Sequence, residues 1–373
     1  MDNPFKNLFK KVENSVIGLD IGSSAIKVVQ LRKKHGKAIL ETYGEVALGP
    51  YAGVSVGQAT NLPPNKIAEA VVDLIREANV TSKNAALSIP LRSSLVSLIE
   101  LPKVDERELK QMIPLEARKY IPVPISEVTM DWWIIPKEDD RYLDFVQSGD
   151  SQGEREKKEK IEVLVVSIHN EIIGHFNQIV RDCGLSASFF EIEMFSAIRA
   201  LVDQSNAPVM IFDMGAAATK LYVAERGVIR SSHIINKGGQ DITLSIAQGM
   251  SLPVDRAEQL KRDIASQDQA VQKNIRDIVS LTVDYIFSEA GNVMLNYQKR
   301  YNRSISKVFI TGGGAAFSGL ADLAKKAFQT DIVVGEPFEK VETPAFLSEV
   351  LKVTGLDFTV AVGLALRKLQ EID

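Results

Sequence analysis

One short motif occurs twice in this chain, and its duplication constrains the fold more than any other feature. The first copy reads GLDIGSSAIKVV (Gly18–Val29) and the second reads IFDMGAAATKLYV (Ile211–Val223). In both copies apolar and β-branched residues flank a run of small residues, which predicts a strand, a tight turn and a second strand. The positions shared at identical spacing are Asp20 and Asp213, Gly22 and Gly215, and Lys27 and Lys220.

The residue types of this motif suit a phosphate and a divalent cation. Small residues let consecutive backbone N–H groups approach an anion closely. A carboxylate beside the same anion would repel it unless a hydrated Mg²⁺ lay between them. A single aspartate–glycine turn is more simply explained as ordinary hairpin chemistry. Because the motif recurs in both halves of the chain, we favour two hairpins that hold a polyphosphate from opposite sides of a cleft.

Composition narrows the class of protein. A chain of 373 residues is expected to form two or more domains. The net charge of −4 argues against nucleic-acid binding. Cys183 is the only cysteine, so no internal disulfide can form and a reducing compartment fits. No apolar run approaches the ~20 residues of a membrane span, and the N-terminus lacks the apolar core of a signal peptide. These observations fit a protein of a reducing compartment without a membrane-spanning segment.

The first residues combine apolar side chains at helical spacing with several lysines. This pattern fits a weak membrane-surface helix, a short helix docked on its own domain, or a frayed end, and we favour the last two. The residues concerned are Phe5, Leu8, Phe9 and Val12, with Lys6, Lys10 and Lys11 beside them.

A small α+β unit is predicted inside the first half of the chain, over residues 84–185. Its first helix contains Pro114, which predicts a kink or a break. The segment 137–160 is dominated by charge, so it is expected to form a solvated hairpin tip or a disordered loop. After this unit, the apolar segment Phe189–Leu201 is predicted to be a helix.

A glycine-rich turn follows a predicted buried strand in the second half. Thr311–Gly314 connects this strand to a helix, and such a turn allows a phosphate or a nucleoside to approach the backbone. Glycine turns of this kind are common, so this one is a weak signal alone. The sequence contains neither a GxxxxGK[ST] loop nor a GxGxxG motif that opens a βαβ unit. A P-loop NTPase and a Rossmann dehydrogenase are therefore disfavoured.

The order of these motifs resembles that of the actin-like ATPase superfamily: GLDIGSSAIK, then DMGAAATK, then FITGGGAAFSG and a final Ala/Gly-rich helix. Within it, the segments GLDIGSSAIKVV, EARKYIPVP, NKGGQDIT and FITGGGAAFSGL resemble the PilM family of type IV pilus assembly, over nearly the whole chain. The inserted unit resembles the extra subdomain that this family shares with the division protein FtsA. The resemblance implies an α/β fold, the two-lobed actin-like (ribonuclease H-like) ATPase fold with an inserted α+β subdomain.

The resemblance also implies a division of the chain. The first-lobe core would comprise residues 14–83, 186–206 and 345–373, and the inserted partner-docking subdomain residues 84–185. The second-lobe core would comprise residues 207–236 and 304–344, with a helical nucleotide-side subdomain at 237–303.

ATP and Mg²⁺ are the ligands that the resemblance implies, with Asp20 and Asp213 holding Mg²⁺ through water. The phosphates would meet Gly22, Ser23, Ser24 and Lys27 from one side and Gly215, Ala216 and Ala217 from the other. The nucleoside would contact Gly312, Gly313 and Gly314, and Gly238 and Gly239 would bring backbone close to the nucleotide.

Three further residues have a competing explanation. Glu258 and Lys261 match the pair that contacts adenine and ribose in relatives, and a plain i,i+3 surface pair explains them equally well. Glu193 lies in the first turn of the predicted helix, where filament-forming relatives place a glutamate before a proline to orient the attacking water. Here Met194 replaces that proline, and a glutamate at this point can also interact with the helix dipole. We therefore expect ATP binding with weak or no ATPase activity.

The implied partner is a PilN-like inner-membrane protein whose short N-terminal cytoplasmic peptide docks beside the inserted subdomain. The protein would then lie at the cytoplasmic face of the inner membrane, peripheral to it, and self-association is a further expectation. The predicted strand Thr129–Pro136 in this subdomain carries Trp132 and Trp133 on opposite faces. An outward-facing aromatic could receive a peptide, whereas core packing explains at least one of the two.

Two alternatives stay open at this point. The first is an FtsA-like cytoskeletal or cell-division filament protein. FtsA relatives anchor through a C-terminal amphipathic helix, whereas this sequence stops at Asp373 directly after the predicted closing helix, which favours PilM. The second is a small-molecule kinase of the same fold, which would need a general base near the second hairpin and a substrate pocket. The sequence identifies neither.

Overall fold

The fold was analysed in a computed structural model that describes residues 15–135, 160–203 and 206–372. The interpretations of the first residues and of the charged segment after residue 136 lie outside these ranges. Within them, no helix is both long enough and apolar enough to cross a bilayer.

The first lobe is built on a five-stranded sheet with the order β3-β2-β1-β4-β8. β1 to β3 are antiparallel neighbours, and β4 and β8 run parallel to β1. Helices α1 and α3 cover one face of the sheet with their apolar sides. The strands are β1 (Ser15–Ile21), β2 (Ala25–Lys34), β3 (Lys37–Ala47), β4 (Asn84–Ile89) and β8 (Ser186–Ile192), and the helices are α1 (Pro64–Glu77) and α3 (Asn170–Asp182).

The second lobe repeats the same strand order, β11-β10-β9-β12-β13. Its strands are β9 (Val209–Met214), β10 (Thr219–Glu225), β11 (Val228–Ile235), β12 (Lys307–Thr311) and β13 (Asp331–Val334). Its helices are α5 (Gly239–Met250), α6 (Val254–Arg262), α7 (Gln269–Tyr301) and α8 (Leu320–Phe328). Because the duplicated motif forms the first hairpin of each sheet, the duplication in sequence is a duplication of lobes. The predicted two-lobed fold is confirmed.

Two helices, α4 (Glu193–Leu201) and α10 (Thr359–Gln370), lie in the core shared by both sheets. α10 crosses β1 so closely that a Cβ atom at Gly18 would lie 1.9 Å from the Ala361 carbonyl oxygen. It meets α4 equally closely at Gly363, where a Cβ atom would lie 2.0 Å from the Ser196 carbonyl oxygen. Glycine at these two positions therefore allows α10 to pack closely against β1 and α4. A short helix, α9 (Ser348–Thr354), precedes α10.

One predicted element boundary is wrong. The segment Phe189–Leu201 is not one helix, because Phe189 to Ile192 complete β8 and pair with β4. The helix begins at Glu193. A short apolar run gives no periodicity by which strand and helix can be separated.

The inserted unit is a three-stranded antiparallel sheet with the order β5-β7-β6 and one covering helix. Its elements are β5 (Ser94–Pro102), α2 (Glu106–Ala117), β6 (Val128–Ile135) and β7 (Lys160–His169). Pro114 lies inside α2, which is assigned as one uninterrupted helix. Trp132 faces the core of the unit, and Trp133 lies on the other face with 47% of its surface exposed.

The predicted range 84–185 for this unit is too long at both ends. β4 belongs to the first-lobe sheet, because it pairs with β1 and β8. α3 also belongs to the first lobe, since Phe176, Ile179 and Val180 pack against residues of β1 and α1. In addition, Glu342, which was assigned to the second lobe, pairs with Ile39 of β3.

Candidate functional site

The two copies of the motif adopt the same backbone arrangement. In the first, Asp20 is paired with Lys27 across β1 and β2, and the Gly22 N–H donates to the Ala25 carbonyl over 3.0 Å. In the second, Asp213 is paired with Lys220 across β9 and β10, and the Gly215 N–H donates to the Ala218 carbonyl over 3.0 Å. The predicted hairpins are therefore confirmed.

Four backbone carbonyl groups of the two turns accept hydrogen bonds from neighbouring backbone N–H groups. The Ser23 and Ser24 carbonyls accept from Thr60 and Leu48, each over 2.8 Å. The Gly215 and Ala216 carbonyls accept from the first turn of α5 over 2.9 and 3.0 Å. By contrast, four backbone N–H groups of the turns donate to no other described residue, namely those of Ser23, Ser24, Ala216 and Ala217. Each turn thus presents a pair of unpaired donors, which is the arrangement that binds anions.

These donors line a cavity of about 360 Å³ between the lobes. Most of the predicted site residues border it: Asp20, Gly22, Ser23, Ser24, Lys27, Glu193, Asp213, Gly215, Ala216, Ala217, Gly312 and Gly313. The remaining predicted residues, Gly314, Gly238, Gly239, Glu258 and Lys261, lie directly behind the second-lobe wall.

The glycine turn after β12 lies against the second hairpin. Gly312 has a φ of +87°, and a Cβ atom there would lie 2.5 Å from Asp213 Oδ1. A Cβ atom at Gly314 would lie 2.6 Å from the side chain of Met214. A Cβ atom at Gly238, which precedes α5, would lie 2.5 Å from the Gly215 carbonyl oxygen. Backbone therefore forms this wall of the cavity, because side chains do not fit.

Glu258 and Lys261 form an i,i+3 pair of 2.7 Å, but the pair is buried and does not lie on the surface. The Glu258 carboxylate also accepts from Thr243 Oγ1 at 2.6 Å and from Arg262 Nε at 2.8 Å. Burial works against the charge of Glu258, but these three donors outweigh it and lower the pKa of the carboxyl. Lys261 Nζ additionally donates to the Gly239 carbonyl over 3.2 Å. The pair thus buttresses the start of α5.

The two lysines of the motif differ in their partners. Lys220 Nζ lies 2.6 Å from Glu193 Oε2 in the first lobe and 3.2 Å from Asp213 Oδ2 in the second. Burial alone would lower the pKa of the Lys220 ammonium, but these carboxylates raise it. Lys27 Nζ has no ion pair or hydrogen bond among the described residues. Burial also opposes its charge, yet the field of Asp20 and other carboxylates raises the pKa of Lys27.

Glu193 is held at both carboxylate oxygens. Its Oε2 accepts from Lys220, and its Oε1 accepts from the backbone N–H of Leu91 over 2.8 Å. Burial raises the pKa of this carboxyl. Glu193 lies in the first turn of its helix, as predicted, and its two bonds join α4 to β10 and to the backbone of Leu91.

Asp357 borders the cavity and was missed by the sequence analysis. It lies just before α10, and a Cβ atom at Gly313 would lie 2.2 Å from its Oδ1. Burial raises the pKa of its carboxyl. Ser88 was missed as well, although its Oγ donates to Asp20 Oδ1 over 2.6 Å. Neither residue stands in a recognisable motif, so only the tertiary structure identifies them.

A loop over residues 48–60 reaches from the first hairpin to the second lobe, and its two ends, Leu48 and Thr60, border the cavity. Both of its ends are bonded to the first hairpin turn, as described above. At its tip the Ala59 N–H donates to Gln240 Oε1 of the second lobe over 2.6 Å, and a Cβ atom at Gly57 would lie 2.6 Å from Cδ of Glu258. This loop therefore connects the two lobes across the buried Glu258 pair.

The carboxylates of the cleft fit a magnesium ion that is bound mainly by phosphate. Among the described residues no three histidine, cysteine, aspartate or glutamate side chains converge as a metal cage. Mg²⁺ commonly takes only one or two carboxylates and completes its shell with water and phosphate oxygens. Asp213 Oδ2 is buried and makes no hydrogen bond, although Lys220 Nζ lies 3.2 Å away, and Asp20 borders the same cavity. The donor set thus suits Mg²⁺ that arrives with a nucleotide.

Comparisons with known proteins agree with this architecture. The chain is 21% identical to the cell division protein FtsA of Bacillus subtilis (strain 168), over 90% of this chain and 81% of that protein. Among solved structures it is similar to the "PilM-PilN type IV pilus biogenesis complex", with a TM-score of 0.77, 23% identity and coverage of 95% of this chain and 98% of that one. It is also similar to the ethanolamine utilization protein EutJ from Carboxydothermus hydrogenoformans, with a TM-score of 0.53, 16% identity and coverage of 94% and 89%.

These likenesses identify the fold as actin-like. The family described as "Type IV pilus assembly protein PilM" matches residues 18–369, which is almost the whole chain. The chain therefore belongs to the PilM family of type IV pilus assembly proteins.

Proposed function

We propose that this protein binds ATP with Mg²⁺ between its lobes and serves as the cytoplasmic actin-like component of a type IV pilus assembly machine. The observation that carries the nucleotide part is the set of four unpaired turn amides. They come from equivalent hairpins in opposite lobes and line one cavity. Unpaired backbone donors are costly unless water or a ligand satisfies them.

In this proposal the phosphates lie between the hairpins. Lys27, which has no ion pair among the described residues, would supply a cation to the phosphates, and Asp20 and Asp213 would hold Mg²⁺ through water. The ion would neutralise phosphate charge that these carboxylates otherwise repel. The nucleoside would lie against the glycine turn Gly312–Gly314, where the backbone is open to close approach.

Turnover of ATP is proposed to be weak or absent. The residue at the expected catalytic position, Glu193, has both carboxylate oxygens bonded, to Lys220 and to Leu91. A general base must reach the water that it orients. These two bonds fix the orientation of the carboxylate toward Lys220 and Leu91 and leave it little freedom to follow an attacking water, which favours a nucleotide-stabilised scaffold.

For a partner we propose a PilN-like inner-membrane protein whose short cytoplasmic peptide docks beside the inserted subdomain. A solved relative in complex with PilN supports a partner of this kind. The inserted sheet offers apolar surface for it on its edge strand β6, where Trp133 and Ile134 are 47% and 44% exposed. Docking of this kind would place the protein at the cytoplasmic face of the inner membrane.

Thermal unfolding of the purified protein with and without Mg·ATP tests the nucleotide site. A ligand at ~100 times its Kd stabilises the native state by roughly 2.7 kcal/mol. We expect a rise in Tm for the wild type and none for Asp20→Ala or Asp213→Ala. Arg107→Ala, on the solvent side of α2, is the matched control and should keep the full shift. No shift in the wild type, with no nucleotide co-purifying, would refute ATP binding.

The partner is tested separately by titrating a synthetic peptide from the cytoplasmic N-terminus of PilN into the protein. We expect saturable binding that Trp133→Ala weakens. Absence of binding with and without Mg·ATP would refute the proposed partner and leave the nucleotide site untouched.

A further inference from the structure

We propose that Lys220 and Glu193 form a relay that transmits the presence of nucleotide phosphate to the inserted subdomain. This inference rests on the proposed ATP binding and specifies how the docking subdomain would sense it. The relay runs from β10 in the second lobe, through the first turn of α4, to Leu91 at the entry of the inserted unit.

The first step of the relay is an ion pair between the lobes. Lys220 lies on the second hairpin and borders the cavity, and its 2.6 Å partner Glu193 belongs to the first lobe. A phosphate bound at the adjacent amides of Ala216 and Ala217 would compete with Glu193 for the same ammonium. An anionic ligand therefore changes the strongest polar link between β10 and α4.

The second step is the hydrogen bond from the Leu91 N–H to Glu193 Oε1. Leu91 lies between the end of β4 and the start of β5, so it marks the point where the chain leaves the first-lobe sheet and enters the inserted sheet. Its neighbours Pro90 and Arg92 border the cavity themselves. A change at Glu193 thus acts directly on the base of the inserted unit.

The third step is a second contact between α4 and the inserted sheet. Phe195, two residues after Glu193, packs against Trp133 of β6 with a ring-centroid distance of 5.9 Å. The inserted unit is therefore held to α4 both at its entry and on its sheet. An equilibrium coupling is reciprocal. If ATP changes the affinity of the inserted unit for a partner by some factor, that partner must change the affinity for ATP by the same factor.

Trp133 provides a natural reporter of this contact. The chain has only two tryptophans, so Trp132→Phe leaves Trp133 as the single tryptophan, whose fluorescence can be followed by itself. The test follows Trp133 fluorescence during titration with Mg·ATP, and measures ATP binding separately by calorimetry. We expect a saturable change in Trp133 emission whose midpoint matches the calorimetric Kd.

Leu91→Pro removes the N–H that the relay needs. Pro90 has φ −61° and ψ 140°, a conformation suited to a residue before proline, and Leu91 opens a 3₁₀ turn where proline fits. Leu91→Ala is the matched control, because it loses the same buried side chain but keeps the N–H. We expect Leu91→Pro to bind Mg·ATP with at least a fivefold smaller change in Trp133 emission, and Leu91→Ala to keep the change.

The outcomes separate the relay from ATP binding. Two results would overturn the relay and leave ATP binding standing. One is a calorimetric heat of ATP binding without any change in Trp133 emission, and the other is an equal change in emission in Leu91→Pro and Leu91→Ala. Absence of binding heat would refute the proposed ATP site and the relay with it. If Leu91→Pro does not fold, Glu193→Gln replaces it, since it weakens the link to Lys220 without changing shape. A full Trp133 response in Glu193→Gln would then overturn the relay.

Discussion

Lys27 and Lys220 occupy the same register position on two copies of one hairpin, but only Lys220 is ion-paired. Each lysine faces the aspartate of its own hairpin across the strand pair. Lys220 joins Asp213 to Glu193 of the other lobe, whereas Lys27 has no such partner among the described residues. The duplication has therefore produced one lysine that holds the lobes together and one that is available to a ligand.

Because of this difference, we expect substitution of the two lysines to lower the stability of the protein by different amounts. Lys220→Met should destabilise the nucleotide-free protein by about 3–5 kcal/mol, because it leaves buried carboxylates without their cation. Lys27→Met breaks no ion pair and should cost clearly less, but it should weaken Mg·ATP binding. Unfolding in urea measures the free energy of unfolding of each variant, and calorimetry measures its affinity for Mg·ATP. Equal losses of stability would contradict the assignment of separate roles, and adding Glu193→Gln should restore part of the loss in Lys220→Met.

A second prediction concerns pH and the buried Glu191. Arg199 binds both of its carboxylate oxygens at 2.8 Å, and Arg367 binds Oε1 at 2.6 Å. Burial raises the pKa of this carboxyl, but the hydrogen bonds and charges of these partners outweigh burial and lower it below its ordinary value of 4.5. A lowered pKa means that the folded state binds fewer protons, so its stabilising effect is present above pH 4.5 and is lost as pH falls through the folded-state pKa.

Glu191→Gln should therefore flatten the acid side of the stability curve. The variant is expected to lose ~3 kcal/mol at neutral pH and to approach the wild type as the solution is acidified below pH 4.5. Unfolding in urea at a series of pH values measures both the loss of stability at neutral pH and the convergence with the wild type at acid pH. Glu349→Gln, at an exposed helical pair with Lys352, is the control and should follow the wild-type curve. A constant difference between Glu191→Gln and wild type at all pH values would refute this origin of the acid sensitivity.

A third prediction concerns the backbone wall of the cleft. Gly312→Ala should cost roughly 1–3 kcal/mol, because a φ of 87° with a ψ of 159° is a backbone region restricted essentially to glycine, and its Cβ would also meet Asp213 Oδ1 at 2.5 Å. ATP binding should weaken with it, because Asp213 must move. Gly174→Ala is the control: it lies in α3, nothing lies within 4 Å, and it should gain about 0.5–1 kcal/mol. Unchanged ATP affinity in Gly312→Ala would argue against a nucleotide on this wall.

The sequence predicts a structural feature well when the pattern that indicates it lies within one short segment of the chain. The hairpins were predictable because Asp20, Gly22 and Lys27 recur at the same spacing in the second copy, and strand–turn–strand patterning is readable over a dozen residues. The repeated strand order follows from that duplication. In contrast, Phe189 to Ile192 could not be assigned, because a short apolar run fits a buried strand and a buried helix alike.

The contacts of Glu193 and Asp357 are of another kind. The bond between Glu193 and Leu91 joins residues 102 positions apart, and the approach of Asp357 to Gly313 depends on how α10 packs. Neither relationship leaves a pattern in the adjacent sequence. The role of Glu193 was predicted from its position alone, and only the tertiary structure shows that Lys220 and Leu91 hold its two carboxylate oxygens.

The last prediction concerns the loop 48–60, which reaches from the first hairpin to the second lobe. Gly57→Ala would place a Cβ atom 2.6 Å from the Glu258 carboxylate carbon, so it should push the loop away from the second lobe. Gly53→Ala is a matched control, because Gly53 also has a positive φ, of 70°, but nothing lies within 4 Å of its added Cβ. Both variants pay the left-handed strain of about 1–2 kcal/mol, and only Gly57→Ala disturbs the contact between the lobes.

We expect Gly57→Ala to release a bound fluorescent ATP analogue several-fold faster than Gly53→Ala, measured by displacement with excess ATP in a stopped-flow instrument. The physical reason is that the loop bridges the two lobes beside the cavity, and its tip is otherwise fixed to the second lobe by the bond from Ala59 to Gln240. Gln240→Ala removes that bond without adding volume and should accelerate release in the same direction. Equal release rates in Gly57→Ala and Gly53→Ala would show that the contact between the loop and Glu258 has no effect on release. The loop would then not control nucleotide exchange.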